Sequence, residues 1–576
     1  MKIFQIIEKE IDSFISGSVT ISEGYKFSQY KLIKRLSLYS NQVYPKGKID
    51  KQGNYKYWTD IIQPRIDSEV KNIDFDTSNV LLYSEVEADA PYMIVCNLAM
   101  KERLDDTGQA TEFNDSIEEG SGWGNVVWKK IKGGYERVDL KNFYIINQQA
   151  KTIDNTPVIE KHILTQSELR AKNEAWDNIE EVIKNCGNRG FAPTPSSTIE
   201  EKESPYYEIY ERNGEISEQA LKEAQGKTGG DENKFILAKI IVAGLKKGEK
   251  AGKYVLFAEE LTGKMSDVYK EYHRGRYNGR WFRTGIYELL MDIQTRANEI
   301  SNQIARGLEW SAKTLFRSQD KLIVNNILTD LNNGDVIKAT DLQQIEVRMN
   351  GLDQLIADWN RLMDLANRLT NSYEVVTGES LPSGTPFRLG SMINQNANKL
   401  FDFLREKWAI ALGSVLQDWV LSDILKNLKS KDVLRLTGDA DKMNEYYMMV
   451  VNGWYMKNLL ALPPHGPEER QLLLQKKLEE IKSKKEQFLK LEEGWLDGIK
   501  PRIKVVMTGE NVNLAADLES LQTFIQLEAD PVRRSYLVEL AMKKKGISVT
   551  NMPRSTPQQL NGEQRMASSS PPALGQ

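Results

Sequence analysis

Histidine and cysteine are the scarce residues of this chain. Its three histidines, His162, His273 and His465, stand far apart in 576 residues. No HExxH or triad-like pattern surrounds any of them, so each is read as structural. The two cysteines, Cys96 and Cys186, cannot build a disulfide framework or a thiolate zinc site, and a reducing compartment is expected. An excess of positive charge is also lacking. With a net charge of −4 the chain is no general nucleic-acid wrapper that gains affinity by neutralising phosphates, and any such contact must be local. No apolar run approaches the roughly 18 residues of a spanning helix. The first residues, MKIFQIIEKEIDSF, carry Glu8, Glu10 and Asp12 where a signal peptide has its apolar core. The expectation is a protein without a membrane segment, made in the cytoplasm and kept there unless an assembly carries it elsewhere.

What is present is an ordinary folding balance, 40% hydrophobic and 27% charged, over a length that implies several domains or one elongated multi-part subunit. Apolar stripes predict helices around Ile3 to Ile15 and Tyr30 to Leu38, separated by Gly17. Residues 44–76 read as irregular strands and loops, and residues 100–120 as a surface loop or short helix. Gly133-Gly134 between GNVVWKKI and YERV predicts a hairpin. Strands are expected at Phe143 to Ile146 and Val158 to Ile163. Thr165 and Glu168 form a capping box that opens a helix ending near Cys186-Gly187. Three strand candidates come next, Tyr206 to Arg212 ending in a turn at Asn213-Gly214, Phe235 to Gly244 and Tyr254 to Glu259. Long helices are expected from about 285 to Phe316, from Leu352 to Glu374 and from Met392 to Leu428, with a charge-rich coiled hairpin at Glu468 to Glu493 and disorder after Pro553.

The search for chemistry returns little. GLKKGEKAGKY, Gly244 to Tyr254, is one residue short of a phosphate loop and has Tyr254 where Ser or Thr must reach magnesium, so it reads as a solvated hairpin loop. Carboxylate pairs such as Glu288 and Asp292 are expected by chance among 81 acidic residues. No enzyme activity and no cofactor are expected. The segment YHRGRYNGRWFR, Tyr272 to Arg283, is more distinctive: Arg274, Arg276, Arg280 and Arg283 stand among aromatics with no carboxylate. They suit phosphates by charge or neighbouring subunits by stacking; equally, they suit carbonyls and carboxylates at a subunit contact. The 376–391 stretch VTGESLPSGTPFRLGS is too rich in Gly, Pro and Ser/Thr for regular structure.

The order of SGWGNVVWKKIKGGYERVDLKNFYIIN, GRYNGRWFRTGIYELLMDIQTRANEI, GESLPSGTPFRLGSMINQNANKLFDFLREKWAIAL and VVMTGENVNLAADLESLQTFIQL resembles portal proteins of tailed double-stranded DNA bacteriophages, of the crAss-like group. The resemblance covers most of the chain as an ordered series, and none of its motifs is chemical. It implies an α+β, mainly helical subunit with wing, stem, clip and crown, a homo-oligomer of twelve copies in a ring at a capsid vertex. It implies wing over 1–164, stem helices over 165–187 and 285–316, clip over 188–284, wing over 317–375, a tunnel loop over 376–391, wing over 392–504, crown over 505–552 and a disordered tail over 553–576. Glu379, Ser380, Ser383, Thr385 and Arg388 would face double-stranded DNA in the channel. Arg274, Arg276, Arg280, Trp281 and Arg283 would meet neighbouring subunits or the head-tail adaptor. The other implied partners are the major capsid protein and, during packaging, the terminase large subunit, with the protein residing in the virion. The competing expectations are a nucleic-acid-processing enzyme or motor subunit, and a helical scaffold or adaptor unconnected to DNA.

Overall fold

A computed structural model describes residues 2–50, 53–77, 80–84, 90–131, 134–186, 206–245, 252–312, 315–317, 343–345, 351–372, 387–424, 433–435, 451, 455, 467–483, 488–490, 502–505 and 523–526. The protein is α+β, about 53% helical over these residues, and divides into two compact units, Met1–Glu510 and Asn511–Gln576. The secondary structure from Lys2 to Val505 lies in the first unit.

The chain opens with α1 (Lys2–Ser16), whose buried stripe is Ile3, Phe4, Ile7 and Phe14. A hairpin unforeseen in the sequence, β1 (Val19–Ser22) and β2 (Tyr25–Phe27), leads to α2 (Gln29–Ser40), which buries Ile33, Leu36 and Tyr39. The supposedly irregular 44–76 stretch contains α3 (Gln63–Ile73), started by Pro64 in its first turn, where a missing N–H costs nothing. After β3 (Val80–Tyr83), residues 90–123 form two helices, α4 (Ala90–Asp106) and α5 (Gln109–Trp123). The acidic 100–120 segment is therefore core-facing, with Phe113 and Ile117 fully buried.

The expected hairpin is present as β4 (Asn125–Ile131) and β5 (Gly134–Arg137), in register Ile131 to Gly134. Then β6 (Phe143–Ile145) and β7 (Val158–Thr165) lead to the capping box, which forms as expected: Thr165 Oγ1 accepts from Glu168 N and Glu168 Oε2 accepts from Thr165 N. It opens only α6 (Gln166–Ala171). The single helix expected to run to Gly187 is corrected to two short ones, α6 and α7 (Ile179–Asn185), separated by Asn178 in the left-handed region at φ 59°. Between them Asp177 N donates to Leu256 O, and Leu169, Ile179 and Val182 pack on the sheet below.

That sheet spans the expected domain boundaries. β8 (Tyr206–Ser217) runs straight through Asn213-Gly214 instead of turning there, with Gly214 against Pro157. It is followed by α8 (Glu218–Ala224), β9 (Phe235–Ala243) and β10 (Tyr254–Glu260). The order β10-β9-β8-β7-β6 is antiparallel throughout, so strands on both sides of the expected wing, stem and clip boundaries belong to one sheet. Period-two alternation distributes its side chains. Ala238, Ile240 and Val242 pack with α1 and α8, whereas Ile241 and Ala243 pack with α6 and α7.

A second sheet, β11-β4-β5, is completed by β11 (Tyr269–His273). From it the chain enters α9 (Ile286–Ala312), which stops short of the expected Phe316 and is followed by β12 (Leu315–Arg317) and β13 (Gln343–Ile345). Next come α10 (Leu352–Thr370) and α11 (Phe387–Val415), the latter continuing through a π turn, Leu416–Val420, to residue 424. The predicted coiled hairpin is a single helix, α12 (Pro467–Ser483); β15 (Phe488–Lys490) then pairs with β14 (Val433–Arg435). The last strand, β16 (Arg502–Val505), returns to β3. Two large cores result. One joins α4, α5, β3, β4 and α11 around Phe113, Trp128 and Trp408; the other joins α2, α3, α9 and α10 around Ile66, Trp281 and Leu290.

Candidate functional site: the arginine-rich junction

β11 pairs with β4 from Tyr269↔Lys129 to His273↔Asn125, and beyond it the chain passes between the end of α5 and the start of α9. Two glycines permit that crossing. Gly124 ends α5 at φ 87°, and a Cβ there would lie 2.5 Å from Gly285 N and 2.6 Å from Arg283 O. A Cβ on Gly285 would meet Gly122 O and Gly124 N. Asn125 then clamps the returning chain, accepting from Arg283 N (2.7 Å) and donating to Trp281 O (3.3 Å). Trp281 N donates to Gln148 O (2.8 Å).

The arginines mostly face inward. Arg274 makes two 2.8 Å bonds to the buried Glu69 of α3. Burial alone would lower its pKa, but the Glu69 charge and bond outweigh that and raise it. Arg280 binds both oxygens of Glu288 (2.8 and 2.7 Å) and Thr284 Oγ1 (2.9 Å), and lies 4.7 Å from the centre of the Phe27 ring. Arg283 donates to Arg280 O and Lys151 O and stacks over Tyr277; burial lowers its pKa. Trp281 is fully buried and donates to Glu271 Oε2 at 2.7 Å. Arg274, Arg280, Trp281 and Arg283, expected at contacts with other subunits or an adaptor, each find partners within the chain. The carboxylates that hold Arg274 and Arg280 lie outside the segment, on α3 and in the first turn of α9. Arg276 alone of the five is exposed. From α11, Lys407 donates to His273 O (2.6 Å) and Arg274 O (2.9 Å), and Trp408 stacks on Tyr272 at 3.6 Å between ring centroids. Burial, with Arg274 and Arg283 nearby, lowers the Lys407 pKa.

Beneath the junction lies a buried ionic knot that sequence inspection missed, because its members are scattered over five strands. Lys129 on β4 donates to Glu160 (2.7 Å, β7) and Glu211 (2.8 Å, β8). Glu211 also meets Lys239 on β9 (3.0 Å), His162 (3.2 Å) and Asn213 (3.0 Å), while Tyr269 on β11 donates to Glu160 (3.0 Å). Burial would raise the Glu211 pKa, but the His162 bond and the charges of Lys129 and Lys239 hold it well below the carboxylate range. Ligand atoms of Glu160, His162 and Glu211 lie within 4.8 Å of one another. However, two lysines already balance the two carboxylates, and a divalent cation would have to displace Lys129. The arrangement is chemically suited to bolting the two sheets together. The only sequence signal was polar residues recurring inside otherwise apolar strands.

An open groove of about 580 Å³ lies nearby, lined by Asp115, Glu118, Glu119, Trp123, Arg137, Asp139 and Lys141 among others. Burial, reduced by Arg137 but reinforced by Asp139 and Glu112, pushes Glu119 up to about 7. At the ends of the Gly-Lys segment, Gly244 approaches Gly252 O, and Lys253 pairs with Glu8 at 2.5 Å; residues 246–251 lie outside the described ones. So do His465 and the expected channel residues Glu379, Ser380, Ser383 and Thr385. Arg388 falls in the first turn of α11, which begins at Phe387 rather than at Met392 as expected.

Comparison with protein-family models and with curated proteins gave no match.

Proposed function

We propose that the chain is a structural subunit of a viral portal: a ring that passes double-stranded DNA during packaging and ejection and seats the head-tail adaptor. The observation that supports this best is apolar exposure on three long helices. α9 leaves Leu308 52% exposed, α10 exposes Ile356, Leu365 and Leu369, and α11 leaves Phe403 and Ile410 exposed by 55% and 67%. Side chains of this size, left uncovered, suit association with further copies of the chain. Head-to-tail contacts that close into a ring would cover them in every copy. A second support is the junction. Gly124, Gly285, Asn125 and the Arg280–Glu288 pair fix the direction in which α9 departs, as a strut repeated around a ring requires. A mildly acidic subunit also suits a channel through which DNA must slide, since each phosphate neutralised strengthens retention. In this reading Glu379, Ser380, Ser383, Thr385 and Arg388 face the DNA.

Electron micrographs of the purified chain test the proposal directly. Rings with a central hole of duplex width are expected; a monomer at every concentration and salt tried overturns it. Deleting Ser380 to Thr385 should leave the rings intact while impairing packaging, and normal packaging removes the tunnel-loop role.

A further inference from the structure

The charge of this acidic protein is unevenly distributed. Between Glu23 and Asp60 stand eight Lys and Arg against one carboxylate, Asp50, a net +7 in a chain of −4 overall, which leaves −11 for the remainder. Asp50 is already engaged by Arg306 at 2.5 Å. Lys26, Lys31, Lys34, Arg35, Lys46 and Lys48 are all exposed, and none forms an ion pair among the described residues. Charged surfaces usually mix both signs, and this one does not. Lys31, Lys34 and Arg35 share one face of α2 by their three- and four-residue spacing, opposite Ile33, Leu36 and Tyr39. Lys26 precedes the helix and Lys46 and Lys48 follow it, so the cations continue beyond both ends of a helix about 18 Å long. Tyr55 and Tyr57, 70% and 63% exposed, stand in the same segment.

We infer that this segment is a binding face for the phosphate backbone of double-stranded DNA, independent of base sequence. The inference does not rest on the ring reading, because it needs only the surface of one subunit. A cluster of exposed cations without ion pairs among the described residues suits a regular polyanion that carries about one charge per 1.7 Å of axis. Exposed tyrosines add hydroxyl donors for phosphate and sugar. An anionic membrane is the less favoured occupant. A basic helix binds a bilayer by inserting its apolar face, and here Ile33, Leu36 and Tyr39 are already packed in the core with α9 and α3.

Fluorescence anisotropy with a labelled duplex of about 30 base pairs, titrated with the full chain over a salt series, tests it. Removing five phosphate contacts should flatten the slope of log K against log salt by roughly 4.5, at about 0.9 per contact. K31A/K34A/R35A/K46A/K48A is therefore expected to show that change and at least a tenfold loss of affinity near physiological salt, with its melting temperature unchanged because all five side chains are exposed. Failure of the parent chain to bind the duplex, or an unchanged slope and affinity in the variant, overturns the inference. So does binding to phosphatidylserine vesicles in place of the duplex. Micrographs of the same samples separate the two proposals. Absent rings with charge-dependent DNA binding reject only the portal reading, whereas normal rings with DNA binding indifferent to the five substitutions reject only this one.

Discussion

Lys129 holds two carboxylates at 2.7 and 2.8 Å in the space between the sheets, and its value to the fold lies in what its loss would leave behind. Removing one partner of a buried ionic cluster strands the other charges, which costs about 3–5 kcal/mol. Lys129→Met should therefore lower the denaturant midpoint by a corresponding amount, and adding Glu160→Gln and Glu211→Gln should recover much of it. Glu119 behaves oppositely. Because burial pushes it up to about 7 from an ordinary value of 4.5, the folded state favours its protonated form. Its stabilising share is complete below pH 4.5 and is lost as pH rises through 7. Glu119→Gln should thus stabilise the protein at pH 8, by up to about 3 kcal/mol, and leave it unchanged at pH 4. Thermal melts at the two values check this; equal effects at both would reject it.

At the scale of elements, the crossing of α5 and the α9 entry depends on two missing side chains. Gly285→Ala would push a methyl into the backbone of Gly122 and Gly124, where neither neighbour can rotate away. A loss of at least about 1–3 kcal/mol is expected, read from equilibrium unfolding. Much at this scale was legible in the sequence. The capping box at Thr165, the Gly133-Gly134 hairpin and the long helices α9, α10 and α11 rest on local signals, which tertiary context did not override. The failures have a common physical cause. Residues 100–120 look acidic and exposed, yet α5 buries Phe113 and Ile117 on one face. The arginines of 274–283 look unpaired because Glu69 is about two hundred residues distant and Glu288 lies beyond the segment. The break between α6 and α7 was missed because the sheet, through Leu256 and Tyr207, supplies the partners that a continuous helix would have supplied itself.

For the whole molecule, Leu308, Ile356, Leu365, Phe403 and Ile410 are the apolar side chains that an assembly would cover. If further copies cover it, Ile410→Glu should abolish higher assemblies in sedimentation or light scattering while the subunit melts as before, since that side chain is 67% exposed. Unchanged assemblies would place the contact elsewhere. The knot has a further consequence, which concerns time. It joins β4 to β7, β8, β9 and β11, so it cannot close until Tyr269 has been synthesised, about 140 residues after Lys129. At ribosomal speeds that delay is on the order of 10 s. Until then the two sheets cannot be locked together, and pairings of such long sequence separation are slow to form. The strands of both sheets are thus all synthesised before the helix that carries exposed Leu308 is complete.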